Sequence, residues 1–238
     1  MRATAVQTAR KVESPVQILE RLSIGERVQD RWVAGLLDLD PLVVSRWLCG
    51  EDLRGIYQPI VLHRCTLEGL DLEGRTFYEA VELLECQVAA AHFKRAYFYS
   101  SLLVEDCTFE GDFEGQEMQS DGRLIVCNTT FAGWAEFGDM NLRGEIDLVD
   151  VSFPGGTNLL RVLTNGSRER LGREIRISGC RFRPGDVPAD LGEHTTCPVQ
   201  PWWPERPAAE AHWASRRQPD PRHHLLEVFP PPVEQDRQ

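Results

Sequence analysis

The stretch Val81-Glu-Leu83-Leu-Glu-Cys86-Gln-Val88-Ala-Ala-Ala91-His-Phe93-Lys-Arg-Ala96-Tyr-Phe98 decides the fold. Its first half places apolar residues at Val81, Leu83, Cys86 and Val88, a spacing of two, three, two. A spacing of two puts side chains on one face of a strand. The intervening three reads as a bend that aims the next short strand inward again. Its second half repeats small-x-aromatic every five residues, as Ala91-x-Phe93 and Ala96-x-Phe98. A helix is excluded, because no sustained i, i+3, i+4, i+7 pattern appears and the Val, Ile, Phe and Thr content favours strands.

The pattern recurs on both sides. Segments ending at Leu67, Val88, Phe109, Phe131, Phe153 and Phe182 align, with near-constant steps up to Phe153 and one longer step after it. Seven residues before each end stand Ile60, Val81, Leu102, Leu124, Ile146 and Ile175. Five before stand Leu62, Leu83, Val104, Val126, Leu148 and Ile177; two before stand Cys65, Cys86, Cys107, Thr129, Val151 and Cys180. Of these 24 positions only Thr129 is not apolar, far beyond what a 42% hydrophobic chain gives by chance. A fixed period of this length signals a solenoid. Each unit is read as one coil of an all-β parallel β-helix, about six coils of roughly 21–22 residues, the range of periods that marks solenoids. At the usual strand separation of about 4.8 Å, six coils span on the order of 30 Å.

Inside the coils Leu62, Leu67, Leu72 and Phe77 are five apart, as are Leu83, Val88, Phe93 and Phe98. On these residues the region 50–182 resembles the pentapeptide-repeat family. The resemblance implies a right-handed quadrilateral β-helix with four pentapeptides per coil. Leu62, Leu67, Leu72 and Phe77 would then point to the centre, with Ile60, Cys65 and Leu70 at the small inward position. The third coil departs from the pattern by placing Glu114 and Gln119 where apolar residues belong, and six-residue steps separate Phe131 from Phe137 and Leu142 from Leu148. Two regular and two looser faces are expected.

A stack of coils exposes an apolar layer at each end and needs caps. Residues 1–49 are read as a helical N-terminal cap. Ser14-Pro15 is an N-cap and first helical position before Val16–Leu22, and Asp40-Pro41 repeats that signal before Leu42–Leu48. Trp32 and Trp47 are expected to cover the first coil. The long step between Phe153 and Phe182 leaves room for a loop through Thr164-Asn-Gly-Ser167, a turn sequence. Residues 183–238 hold 11 of the 15 prolines and no apolar ladder, which reads as a largely disordered tail with a short ordered piece around Leu225–Phe229. Pro230-Pro-Pro232 fits an aromatic groove, although most such tails are linkers.

The 238 residues carry a net charge of −11, against direct binding of nucleic acid or an anionic membrane. No apolar run approaches the roughly 18–20 residues of a membrane span, and the first residues do not read as a secretory signal. Seven cysteines without such a signal are expected to be reduced thiols in the cytoplasm. Cys65, Cys86 and Cys107 share the slot that Val151 fills, so they read as packing residues; CxxC pairs are absent from the sequence. His63 and His92 alternate with inward residues and should face solvent. Phosphate loops, nucleophile elbows and HExxH are absent, so no cofactor, metal site or catalytic residue is assigned and the chain is read as a non-enzyme.

Acids supply the patterned surface. Residues 50–182 carry 22 acids against 13 bases. Glu105, Asp106, Glu110, Asp112, Glu114, Glu117 and Asp121 follow one another with no base between, and are read as a negative partner-binding stripe. The leading expectation is an interaction solenoid, an adaptor or a regulator of a protein partner such as a basic nucleic-acid-binding protein, its tail a second contact element. The family resemblance implies a second reading, a DNA mimic that binds a topoisomerase such as DNA gyrase. A third, a polysaccharide-acting β-helix enzyme, needs two carboxyls across a cleft, for example Glu85 and Asp106.

Overall fold

The computed structural model describes residues 10–48, 51–165 and 175–186. Parallel strands dominate and form a β-solenoid of about six turns. The first face is built from Ile60–His63, Val81–Leu84, Leu102–Glu105, Leu124–Cys127, Ile146–Val149 and Ile175–Ser178, each in parallel register with the next. The second face carries Gln87–Val88, Thr108–Phe109 and Thr130–Phe131, and the third Ala91–His92, Phe113–Glu114 and Ala135–Glu136. In the first coil Thr66–Asp71 runs through both of these faces. The fourth face carries Thr76–Phe77, Tyr97–Phe98, Gln119–Ser120 and Asn141–Leu142. One face thus has four-residue strands and the later coils use two-residue strands on the other three.

Two left-handed corner columns turn the chain. The first runs through Asp30, Arg64, Glu85, Asp106, Asn128, Asp150 and Gly179, and the second through Gly74, Arg95, Glu117 and Asp139, all with φ between 47° and 66°. Seven of these eleven positions hold Gly, Asn or Asp; Asn and Asp tolerate this region best after glycine. The corners let the next inward residue follow at once, which explains the spacing of three in the sequence.

The aligned inward positions are buried, apart from Ile175 and Phe182 in the last coil, which are partly so. Leu62, Leu67, Leu72, Leu83, Val88 and Phe93 see no solvent. Phe109, Phe131, Phe153 and Phe182 stack with centroids 4.8, 5.1 and 5.2 Å apart. Each fully buried phenylalanine contributes about 1.5–3 kcal/mol of transfer free energy. The three polar residues on the inward ladders, Thr129, Ser120 and Thr157, are paired: Thr129 donates to the Cys127 carbonyl at 2.8 Å, Ser120 to the Phe98 and Gly122 carbonyls at 3.3 and 3.1 Å, and Thr157 to the Ala135 carbonyl at 2.7 Å.

The third coil departs from its predecessor at one corner. Val88 pairs with Phe109 and Ala91 with Phe113, so the link between the paired positions is one residue longer in the third coil. That residue has been added at the corner between them. Phe113, Gly115, Met118 and Ser120 therefore face inward, while Glu114 and Gln119 face out, correcting their assignment to the core. A one-residue slip exchanges the two sides of a strand.

At the N-terminal end β1 (Lys11–Glu13) precedes α1 (Pro15–Ser23), which starts with a reciprocal Ser14–Gln17 capping box. Its end is set by Gly25, whose φ of 72° lets the Gly25 and Glu26 amides donate back to the Leu22 and Arg21 carbonyls at 2.9 and 3.1 Å. Ile18 and Leu22 are fully buried. After α1 the cap is not helical. β2 (Val28–Gln29) and β3 (Arg31–Asp38) pair in parallel with the first coil, so the sheets begin at Val28 and not at the expected boundary near position 50.

The expected second helix is absent too. Asp40–Leu42 makes one 3-10 turn, and β4 (Val44–Leu48) pairs antiparallel with β5 (Glu51–Gly55). Strand-favouring Val43, Val44 and Trp47 outweigh the Asp-Pro start signal. Trp32 and Trp47 do not cover the coil: they are 44% and 74% exposed. At the other end the long step before Phe182 contains α2 (Leu159–Asn165), whose buried Leu159, Leu160 and Leu163 close the stack. The expected loop thus begins inside a helix, and its Gly166 and Ser167 lie outside the described residues. Order also continues past Phe182: Pro184–Asp186 forms a 3-10 turn and Asp186 accepts the Thr157 amide at 3.0 Å. The rest of the expected tail, from position 187, lies outside the described residues, as do residues 1–9.

Candidate interaction surface

The seven acids expected to form a stripe lie on one coil, and one coil passes round all four faces. Glu105 ends the first-face strand and Asp106 is the corner after it. Glu110 and Asp112 flank the second corner, Glu114 is on the third face, Glu117 at the next corner, and Asp121 follows the fourth face. They form a girdle, not a stripe. Several are engaged: Glu114 Oε2 lies 3.0 Å from His92 Nδ1, and Asp112 accepts the Trp134 amide at 2.8 Å. Asp121 accepts the Tyr97 hydroxyl at 2.6 Å and lies 3.7 Å from Arg143. Burial, first, and the bond to Asp121 push the Tyr97 phenol up from its ordinary value.

A stripe on a solenoid is made by residues one coil apart. Glu114 and Glu136 are register partners on the third face, and Glu117 and Asp139 share the neighbouring corner. These four carboxylates form a two-by-two patch, with coils about 4.8 Å apart. Glu136 is held in place: its carboxylate accepts the Gly138 amide at 2.9 Å, the Trp134 indole N–H at 3.1 Å and the Asn158 side-chain amide. Glu117 and Asp139 are exposed, and Trp134 beside them is 39% exposed. Glu136 and Asp139 lie outside the acidic run 105–121, because neighbours on one solenoid face stand a whole coil apart in sequence. Advancing from Glu114 and Glu117 by the coil step that separates Phe109 from Phe131 finds both.

A second column, acidic except for the neutral Asn128, runs down the first corner as Glu85, Asp106, Asn128 and Asp150. Glu85 and Asp106 are therefore at corresponding positions, as expected, but on an exposed corner of the stack, not across a cleft. Glu85 lies 3.0 Å from His63 Nε2. His63 and His92 do face outward, half-buried beneath these carboxylates.

The cysteine ladder is inside, as the sequence reading has it. Cys65, Cys86 and Cys107 are free and at most 2% exposed. Cys86 and Cys107 donate to the Leu62 and Leu83 carbonyls at 3.4 and 3.3 Å. The bond to Cys107, with burial, pushes the Cys86 thiol up to about 12, and the bond to Cys86, with burial, pushes Cys65 up as well. Such thiols are not nucleophiles at neutral pH.

An open groove of about 610 Å³ is lined by Asp71, Glu73, Gly74, Arg75 and Arg95. Its cations are paired: Arg75 with Asp38 and Asp40 at 3.0 and 3.3 Å, Arg95 with Glu73 at 3.0 Å. An internal void of about 20 Å³ lies among Phe113, Met118, Phe137 and Met140 and has no polar lining. Outside, Tyr57, Tyr78 and Tyr99 stack at 4.4 and 4.8 Å, with Arg46 4.2 Å over Tyr57. Among the described residues no helix is long and apolar enough to cross a membrane. Compared with protein-family models, curated proteins and solved structures, the chain matches none.

Proposed function

We propose that this chain is a non-enzymatic interaction protein, an adaptor or regulator whose rigid solenoid presents carboxylates to a basic protein partner. The observation that carries the reading is the patch of Glu114, Glu117, Glu136 and Asp139 on two neighbouring coils. Its backbone is fixed by the parallel ladder, so a partner meets the carboxylates already placed and the ordering cost is low. Four acids with no base among them make a field that steers a cationic surface over roughly 8–10 Å. The four-faced coils and the buried five-residue ladder support membership of the pentapeptide-repeat family, and the buried, free thiols support a reducing, cytoplasmic location.

A second reading, mimicry of DNA toward a topoisomerase, is favoured by the two acidic corner columns. With an acid at every corner, two columns at about 4.8 Å per coil would give roughly one charge per 2.4 Å, against about one per 1.7 Å for duplex DNA, and the neutral Asn128 thins the first column further. Arg64 and Arg95 stand at the N-terminal end of those columns, so the imitation is confined to the later coils. That makes acidic docking the better-supported reading.

The experiment is affinity capture with the wild type and with a Glu114→Lys, Glu117→Lys, Asp139→Lys variant at low and moderate salt. A partner bound by the wild type, weakened by salt and lost on charge reversal supports the proposal. If that partner is a topoisomerase whose DNA competes for the site, the mimic reading prevails. Partners indifferent to the reversal would make the patch ordinary solvated surface.

A further inference from the structure

A column of ionisable groups runs down the outer side of the third face. Parallel register places Asp38, Asp71, His92, Glu114 and Glu136 in line, each one coil after the last. His92 is the one member that is not an acid. Its Nδ1 lies 3.0 Å from Glu114 Oε2. An ionised carboxylate can only accept, so Nδ1 carries the hydrogen, and the proton that charges the ring is gained at Nε2. The side chain is 35% exposed, so solvent supplies that proton directly.

The charged neighbours of His92 come from three coils. The preceding coil offers Asp71, whose Oδ1 accepts the Glu73 amide at 2.7 Å, and Glu73, which is paired with Arg95 at 3.0 Å. Its own coil offers Lys94 and Arg95, which act with His92 on Glu73. The following coil offers Glu114. Of these residue types only histidine ordinarily changes charge between about pH 5 and 8; Asp and Glu do so below that range, Lys and Arg above it. His63 sits on the first face beside Glu85, away from the carboxylate patch.

We propose that His92 is a proton-operated control on the patch of Glu114, Glu117, Glu136 and Asp139, a role that rests on the docking reading given above. With His92 neutral, Glu114 keeps its full charge for a partner. With His92 charged, the imidazolium and Glu114 form a neutral pair, and the patch falls from four net charges to three. A cationic surface then meets a weaker field, with a positive ring at the edge of the patch. Linkage fixes the converse: a bound cation favours the neutral ring, so docking near pH 6 expels a proton. A basic partner is therefore held at neutral pH and loosened in mild acid, before the carboxylates themselves titrate.

Octa-arginine is the probe, because its side chains stay charged throughout this range. Its binding to the full-length protein is measured by calorimetry at pH 7.5 and pH 5.5, at one ionic strength. Wild-type affinity should fall at least about three-fold from the higher pH to the lower. His92→Asn keeps an N–H in place of Nδ1–H and takes no charge, so its affinity should change by less than about 1.5-fold. His92→Lys is charged at both pH values and should bind at pH 7.5 as weakly as the wild type does at pH 5.5. In the wild type at pH 6, added peptide should move the His92 Cε1–H proton resonance toward its neutral position and leave that of His63 in place. Equal pH responses in the wild type and His92→Asn, or a His92 resonance that ignores bound peptide, would overturn the proposal and leave the docking reading standing. A peptide that does not bind, or that binds equally well to the Glu114→Lys, Glu117→Lys, Asp139→Lys variant, would overturn both.

Discussion

Glu117 and Asp139 occupy the same left-handed corner on neighbouring coils, with φ of 57° and 54°, and the Glu117 amide donates to the Gly138 carbonyl at 2.7 Å. The corner, not the carboxylate, is what the fold needs at this position. Glu117→Gly should leave stability within about 1 kcal/mol, because relieved backbone strain offsets the greater entropy of the unfolded chain. Glu117→Val should cost about 1–2 kcal/mol, since a β-branched residue resists positive φ. Denaturant midpoints check the pair, and a tolerant Glu117→Val would show that the corner can relax.

Leu83 and Glu82 are adjacent on one strand and face opposite ways, Leu83 with no exposure and Glu82 outward. Leu83→Asp places an unpaired carboxylate in the middle of the stack and should abolish cooperative folding or cost upwards of about 4 kcal/mol. Glu82→Ala should change stability by no more than about 0.5 kcal/mol. Thermal melts of the two variants decide it; equal effects would refute the inward and outward assignment.

The coil ladder was legible because the solenoid writes its core as a strict period: Leu62, Leu83, Val104 and Val126 recur at one place on one face. Two kinds of information were not legible. The extra residue between Phe109 and Phe113 is a local corner choice, and it moved Glu114 from an apparent core position to the surface. The acidic stripe failed for a geometric reason, since neighbours in sequence go round a coil while neighbours in space, such as Leu83 and Val104, lie one whole coil apart. The N-terminal cap misled differently. Asp40-Pro41 does start a helical turn, but the pairing of Val44–Leu48 with Glu51–Gly55 ends it at Leu42. Tertiary pairing overrides a start signal, and nothing local to residues 40–48 announces the partner strand.

Phe131 sits between Phe109 and Phe153, at 4.8 and 5.1 Å, with interplanar angles of 4° and 6°. Its removal breaks the stack in the middle, where neither neighbour can close the gap without leaving its own ladder. Phe131→Ala is expected to cost about 3–5 kcal/mol. Phe182 stands at the end of the same stack and is only partly buried, so Phe182→Ala should cost clearly less. Urea unfolding of both variants tests the gradient; a Phe182→Ala loss as large as that of Phe131→Ala would mean that the last coil, not the middle, limits stability.

Glu13 fixes the N-terminal cap and should give it a pH dependence. Its carboxylate is 6% exposed and lies 3.0 Å from Lys11, 3.3 Å from Arg21 and 2.9 Å from Arg31, tying β1, α1 and β3 together. Burial alone would push the group up, but the bond to Lys11 and the charges of Arg31 and Lys11 outweigh it and hold the carboxyl below its ordinary value of 4.5. A folded-state value below the unfolded one means that stability is fully present above about pH 4.5 and is lost as pH falls through the folded value. The melting temperature of the wild type should therefore fall below about pH 4.5 more steeply than that of Glu13→Gln, which has no proton to gain there. Near neutrality Glu13→Gln should be the less stable of the two, because Arg21 and Arg31 lose a charged partner. The other carboxylates titrate in both proteins, so the difference between the two curves isolates Glu13. Parallel curves would place the acid sensitivity of the chain elsewhere.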